Sequence, residues 1–269
     1  YRCKALFWEL QVAWSYTVYA CEAGNNLAQL IFEHLNSLSQ RLNFICRAVD
    51  NVTIYALKHQ DNDTQDNILY HLGYFVMLVT GAFDDLIRII QVLYGLKMKD
   101  RSYPDIRLSV SGGKNFYKEL CKNAMGLYAF MTSKKTQNAV EAIYPIRHCL
   151  QHRDFLDGLH VLKSERPVSS FFRITEEAAT AILAIPGGEK SVHEISSHEY
   201  LLEPVSFVNL ALSNLREIIN WSFALIPWTD LQEKWPDDII QKVKTIRGQI
   251  WKLYPFLKQR PLYLDAWAG

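Results

Sequence analysis

Two long stretches of apolar residues at helical spacing constrain the fold of this chain most strongly. In the first, leucine and isoleucine recur every three or four residues and predict an amphipathic helix over about 26–58, with its cap supplied by Asn25-Asn26. The second stretch runs from about Asp63 to Gly95, with Thr64 as its expected cap. The turn between the two stretches is short and polar, which predicts an antiparallel helical hairpin.

The second helix carries two features that its apolar pattern does not explain. Gly73 and Gly81 lower its helix propensity, which indicates close backbone approach by a neighbour, although a tolerated glycine is the alternative. Asp84 and Asp85 end an apolar half-helix. Either one carboxylate enters the bundle and orients Arg147 or a histidine, or the pair is solvated or caps a helix.

Most of the remaining chain also has helical periodicity. Helices are predicted over about 114–131, over the motif segment after Ser133, and over about 204–225 and 236–253. The segment from about 158 to 200 is interpreted as an insertion, with a short extended piece near 168–174 and a short helix opened by Thr175. The sequence thus predicts an all-α fold in a single domain, 1–269. Its bundle core is expected at about 26–155 and 204–254.

Composition limits the classes of function. Hydrophobic residues make up 49% of the chain, enough for a large core, and the net charge of +1 means that any RNA contact must come from a local basic patch. The five cysteines are scattered without a C-x-x-C pair and are expected to be reduced, in a cytoplasmic protein. The longest apolar run, Leu72 to Phe83, has about twelve residues against the roughly twenty that span a bilayer, so no membrane insertion is expected.

The hexapeptide Arg147-His148-Cys149-Leu150-Gln151-His152 concentrates chemically useful groups in about two helical turns. An imidazole titrates near neutrality and can move a proton to or from a ribose or leaving oxygen, while a guanidinium can hold a phosphate. Pro145, just before the motif, either kinks the helix or lies in the first turn of a new one, near backbone amides that favour an anion.

Two other interpretations of the motif stay open. His148 and His152 lie at i,i+4 on one helix face and could ligate zinc, but the metalloprotease pattern needs Glu directly after the first His, and Cys149 stands there. Alternatively, Arg147 and both histidines are structural and pair with carboxylates between packed helices. We predict no metal site and no cofactor.

The Arg147 and His152 positions resemble the Arg-x4-His signature of HEPN domains (higher eukaryotes and prokaryotes nucleotide-binding), with His148 at the adjacent polar position. The resemblance implies an up-and-down helical bundle that dimerises so that two motifs meet in one cleft. It also implies metal-independent RNA cleavage giving a 2′,3′-cyclic phosphate, in a toxin or antiviral defence setting, with an antitoxin or sensor as a further partner.

The predicted catalytic residues are therefore Arg147, His152 and His148. Basic side chains flanking the motif are candidates for the RNA backbone, with an ordinary solvated basic face as the alternative: Lys134, Lys135 and Arg153. The alternative function is a non-catalytic HEPN-like module that binds a nucleotide or a partner protein.

Overall fold

The computed structural model describes residues 2–97, 107–152, 157–163, 166–231 and 235–253. Within these ranges, side chains are not described at positions 2, 4, 151–152, 160–163, 166–169, 247 and 249–253. The chain is mainly helical, as the apolar periodicities predict. Its helices are α1 (Arg2–Leu6), α2 (Trp8–Glu22), α3 (Asn26–Ala56), α4 (Asn62–Leu93), α5 (Lys114–Asn123), α6 (Met125–Met131), α7 (Lys134–Glu141), α8 (Ile143–His152), α9 (Glu176–Leu183), α10 (Pro204–Ala224) and α11 (Asp237–Leu253).

The long helices α3 and α4 pack against each other as a hairpin and carry much of the core. Asn25 caps α3, as predicted, by accepting a hydrogen bond from the Ala28 amide at 3.0 Å. The predicted cap of α4 is wrong, because Thr64 lies inside the helix and Asp61 accepts from the Thr64 amide at 2.8 Å. An aspartate three residues earlier satisfies the same free amide.

The buried side of α3 runs from Ala28 through Val52, but two leucines near its N-terminal end lie outside it. Leu27 and Leu30 continue the predicted stripe, yet they are 36% and 61% exposed. Periodicity identifies the apolar side of a helix, whereas burial also requires a neighbouring element at that height along the axis. Ala28 in the first turn of α3 is fully buried, so the core covers this turn on the side of Ala28 and leaves Leu27 and Leu30 outside it.

The segment leading to the motif is more broken than its periodicity predicts. The helix expected over 114–131 is interrupted at Ala124, which separates α5 from α6. Ser133 then caps α7, and α8 follows after Ala142. Pro145 lies in the first turn of α8, where its missing N–H removes no helical hydrogen bond. Of the two predicted roles for Pro145, the structure therefore has the first-turn role.

A small antiparallel sheet lies between α8 and α10. Its strands are β1 (Gly158–Lys163), β2 (Arg166–Ile174), β3 (Val192–Ser196) and β4 (Glu199–Leu202), in the order β1-β2-β4-β3. The predicted extended piece at 168–174 falls within β2, but the other three strands of this sheet were not predicted. The β3–β4 turn contains His198 with φ of +69°, instead of the glycine or asparagine that signals such a turn in a sequence.

Helix α10 packs against α2, α3 and α4 and closes the core. The Glu203 side chain caps it by accepting hydrogen bonds from the Val205 and Ser206 amides, and Pro204 occupies the first helical position.

The five cysteines are free thiols, three of them buried. No helix in the described part of the chain has both the length and the apolar character needed to cross a bilayer.

Candidate functional site

The motif helix α8 packs on α4, which places Arg147 beside the second half of α4. Leu150 contacts the α4 backbone near Gly73, where an added Cβ would lie 3.8 Å from a leucine methyl. Three residues earlier on α8, Arg147 is half-buried, and its Nε is buried without a hydrogen-bond partner among the described residues. A buried guanidinium nitrogen without an acceptor marks a position where an anion would be stabilised.

Asp84 of α4 lies within electrostatic range of Arg147. Although Asp84 reaches solvent, its pKa is raised, first because surrounding protein desolvates the carboxyl and also because Asp85 repels its charge. The guanidinium groups of Arg147, Arg41 and Arg88 act in the opposite direction without reversing the shift.

The neighbouring Asp85 is buried and bound. Arg41 of α3 donates from Nε to Asp85 Oδ2 at 2.8 Å, and Ser37 donates its hydroxyl to the same oxygen at 2.9 Å. Arg41 reaches this carboxylate by lying over Gly81, where a Cβ would overlap its guanidinium. The close approach predicted at Gly81 is therefore present and is made by a side chain. Asp85 has entered the bundle, and the cation it binds is Arg41.

Tyr144 lies in the turn of α8 before Arg147, within electrostatic range of Asp84 and Arg147. Burial raises its pKa to about 12, helped by the charge of Asp84, while Arg107, Arg147 and a backbone hydrogen bond from Leu108 oppose the shift. The hydroxyl thus stays protonated at neutral pH and is a hydrogen-bond donor, not a base.

The loop before α5 places Arg107 near Tyr144. Its fold depends on Gly113, where a Cβ would overlap the Arg107 carbonyl oxygen. Gly113 also donates its N–H to the Ser109 carbonyl at 2.8 Å, which holds the loop in a tight turn before α5. An exposed arginine is thereby held within electrostatic range of Tyr144.

We call the set formed by Arg41, Asp84, Asp85, Arg88, Arg107, Tyr144 and Arg147 the arginine cluster. Among the described residues, its four guanidinium groups outnumber its two carboxylates, and the pKa of one of those carboxylates, Asp84, is raised. The described part of this protein, whose net charge is only +1, thus has a local excess of arginine over carboxylate at this place. Such a concentration favours a phosphate or another compact anion.

The other predicted site residues lie as follows. His148 is exposed on α8, one residue after Arg147. His152 ends α8, but its side chain lies outside the described residues, as does all of Arg153. Lys134 and Lys135 are exposed on α7, and Lys135 pairs with Glu217 of α10 at 2.7 Å, so its charge is already compensated.

Sequence reasoning missed four members of this cluster: Arg41, Arg88, Arg107 and Tyr144. Gly81 was a usable signal for Arg41, since a glycine one turn before an aspartate pair leaves room for a long side chain to cross. Gly112 and Gly113 were a comparable signal for the loop that carries Arg107.

Within the described part of the chain, no group of three or more His, Cys, Asp or Glu side chains is placed to hold a metal ion. Comparisons with protein-family models, with curated proteins and with solved structures find no match to this chain. Its function is therefore argued from the site itself.

Proposed function

We propose that this protein is a metal-independent endoribonuclease of HEPN type, acting on RNA as a homodimer in the cytoplasm, in a toxin or antiviral defence setting. The observation that carries the proposal is Arg147, whose buried Nε lacks a partner among the described residues in a cluster with more arginines than carboxylates. The defence setting, and an antitoxin or sensor partner, come from the motif resemblance.

In the proposed reaction His152 removes the proton from a ribose 2′-hydroxyl, and the oxygen attacks the adjacent phosphorus. The bond from phosphorus to the 5′-oxygen breaks. The leaving oxygen takes a proton from His148 or from a motif histidine of the second copy in the dimer. The products are a 2′,3′-cyclic phosphate and a 5′-hydroxyl. No oxidant or co-reactant is needed.

Arg147 stabilises the extra negative charge that develops on the phosphoryl oxygens in this transition state. Tyr144, protonated at neutral pH, is a further donor in the same cluster. Asp84 opposes binding of the anion when it is ionised. Arg41 is held by Asp85 and acts on the cluster by its charge.

The test is cleavage of mixed RNA by purified protein in EDTA. Arg147→Ala and His152→Ala should each lower the cleavage rate by about a hundredfold or more while the melting temperature stays near wild type. Arg147→Lys should also be impaired, because an ammonium group cannot hold two phosphate oxygens as a guanidinium does. Arg216→Ala is the matched control, since it removes a half-buried arginine from α10.

The outcomes separate the interpretations. If wild type never cuts RNA, the nuclease proposal is wrong. If the Arg147 variants lose stability instead of activity, Arg147 is structural. Exposed aromatic side chains on the α3/α4 hairpin favour the second candidate, a non-catalytic module that binds a nucleotide or partner protein. That candidate predicts binding of RNA or nucleotide without cleavage.

A further inference from the structure

Exposed aromatic rings form a contiguous strip on the α3/α4 hairpin, which we call the aromatic strip: Phe44, Tyr70 and Tyr74. They are 41%, 68% and 40% exposed. The Tyr70 and Tyr74 rings lie nearly parallel, at an interplanar angle of 14° with centroids 6.5 Å apart, and Phe44 lies 6.5 Å from Tyr74. Single exposed apolar residues are ordinary, but a contiguous group of rings on a surface indicates a binding function.

Cationic side chains accompany these rings. The Arg47 guanidinium carbon lies 5.7 Å from the centroid of the Phe44 ring, and Arg47 is exposed. Beyond Tyr70, His71 stacks on Tyr55, and the Lys58 ammonium lies 4.0 Å from the Tyr55 ring. At the strip itself, an aromatic face beside an arginine is a combination that single-stranded nucleic acids use, for stacked bases and for phosphates.

The aromatic strip and the arginine cluster lie on one face of α4. Tyr70, Tyr74, Met77, Gly81 and Asp84 follow one another at steps of three or four residues, which keeps them on the same side of the helix. Ten residues from Tyr74 to Asp84 correspond to about 15 Å along the axis, or about four nucleotides at a stacked spacing of about 3.4 Å. A single strand with its scissile phosphate at Arg147 thus has bases within reach of the strip.

We propose that Phe44, Tyr70 and Tyr74 are a stacking platform for unpaired bases of single-stranded RNA, with Arg47 on the phosphate backbone. The proposal rests on the proposed function for the identity of the nucleic acid. Exposed Asp63 and Asp66 lie within two turns before Tyr70 on α4 and repel phosphates, so the platform ends there. The strand therefore runs from Tyr70 toward the arginine cluster.

Carboxylates limit where a nucleic acid can lie on this surface. Asp50 follows Arg47 by about one turn on α3, and Asp63 and Asp66 lie beyond Tyr70, so the cation that favours a phosphate at the strip itself is Arg47. An RNA strand would find positive charge there and at the arginine cluster, and the exposed rings between them would stack its bases.

The experiment measures binding of a fluorescent 2′-O-methyl RNA single strand of about twelve nucleotides, which lacks the nucleophilic hydroxyl and cannot be cut. Tyr70→Ala and Tyr74→Ala should each weaken binding about tenfold, which corresponds to the loss of one base stacked on a ring. Tyr70→Phe keeps the ring and should bind like wild type. Leu30→Ala, which removes a 61% exposed leucine elsewhere on α3, is the second control. A duplex of the same sequence should show no such difference.

Three results would overturn the inference: wild type that does not bind the single strand, alanine variants that bind it normally while melting like wild type, or alanine variants that turn a dimer into a monomer by light scattering. The last result would identify the strip as an interface between copies. Tyrosine-dependent binding without cleavage of ordinary RNA would refute the nuclease alone. Cleavage by wild type, together with normal binding by the alanine variants, would refute the platform alone.

Discussion

Arg41 of α3 donates a hydrogen bond from Nε to Asp85 Oδ2 of α4 at 2.8 Å and thereby joins the two longest helices of the fold beside the motif helix. Asp85 is buried, whereas the side chain of Arg41 stays 39% exposed. The carboxylate therefore depends on this donor and on Ser37, while the guanidinium keeps an edge toward solvent near Asp84. The same ion pair therefore joins α3 to α4 and holds the Arg41 charge beside the candidate site.

Gly81→Ala should not raise the free energy of unfolding, although alanine favours a helix more than glycine does. Alanine usually stabilises a helix by about 1 kcal/mol over glycine, but a Cβ here would displace the Arg41 guanidinium that Asp85 holds. Gly73→Ala is the matched control, since its Cβ would meet Leu150 at 3.8 Å, an ordinary contact. In urea unfolding, Gly73→Ala should raise the free energy of unfolding by up to about 1 kcal/mol, and Gly81→Ala should leave it unchanged or lower it. Equal gains would refute the role given to Gly81.

Asp85→Ala should lower the free energy of unfolding by about 1–3 kcal/mol, because Ser37 and Arg41 both lose their acceptor. Asp85→Asn keeps one acceptor oxygen and should fall between wild type and the alanine variant. Lys122→Ala breaks an exposed pair with Glu119 and should cost less than about 1 kcal/mol in the same assay. Similar losses in Asp85→Ala and Lys122→Ala would show that the Asp85 contacts contribute no more than a surface pair.

Asp84→Asn should stabilise the fold at neutral pH. The folded carboxyl holds its proton more tightly than the unfolded chain does, so wild type loses stability as pH rises from the ordinary pKa of 3.8 through the raised folded value. The variant has no such loss, and its advantage in melting temperature should disappear below pH 3.8. Lower stability of the variant at neutral pH would mean that attraction to Arg147 outweighs desolvation.

Asp61→Ala should change stability at neutral pH in the opposite direction to Asp84→Asn. Its pKa is lowered, chiefly by the hydrogen bond from the Thr64 amide at the start of α4. The ionised cap therefore stabilises the fold above its ordinary pKa of 3.8, and that stability is lost as pH falls through the lower folded value. Melting curves across this range should show the variant weakened at neutral pH and converging on wild type in acid. A constant difference would contradict the titration of Asp61.

The homodimer is expected to bring two α8 helices together, since two motifs around one phosphate double the local guanidinium and imidazole count. Light scattering should give twice the monomer mass. A cysteine at exposed His148 should cross-link the two copies through a short bifunctional maleimide, and a cysteine at Met125, 62% exposed on α6, should not. A monomer at tens of micromolar, or cross-linking at Met125 alone, would contradict this arrangement.

The sequence by itself determined the longest helices, because their signals are local. A 3.6-residue period and a capping residue act within a few turns, so α3, α4 and α10 were predicted to within two or three residues at their ends. Because these signals are local, a neighbouring residue can be mistaken for a cap, as Thr64 was for Asp61 at the start of α4. The strands β1, β3 and β4 were missed because short strands carry no strong local period.

Tertiary structure alone decided which side chains meet. Arg41 and Asp85 are separated by 44 residues, and Arg107 reaches Tyr144 only because a glycine turn folds the loop back. The motif supplied Arg147, but its place in an arginine-rich cluster depends on how α8 packs on α4. Local patterns state which face of each helix is apolar, whereas the packing of those faces sets the distances on which charge interactions depend.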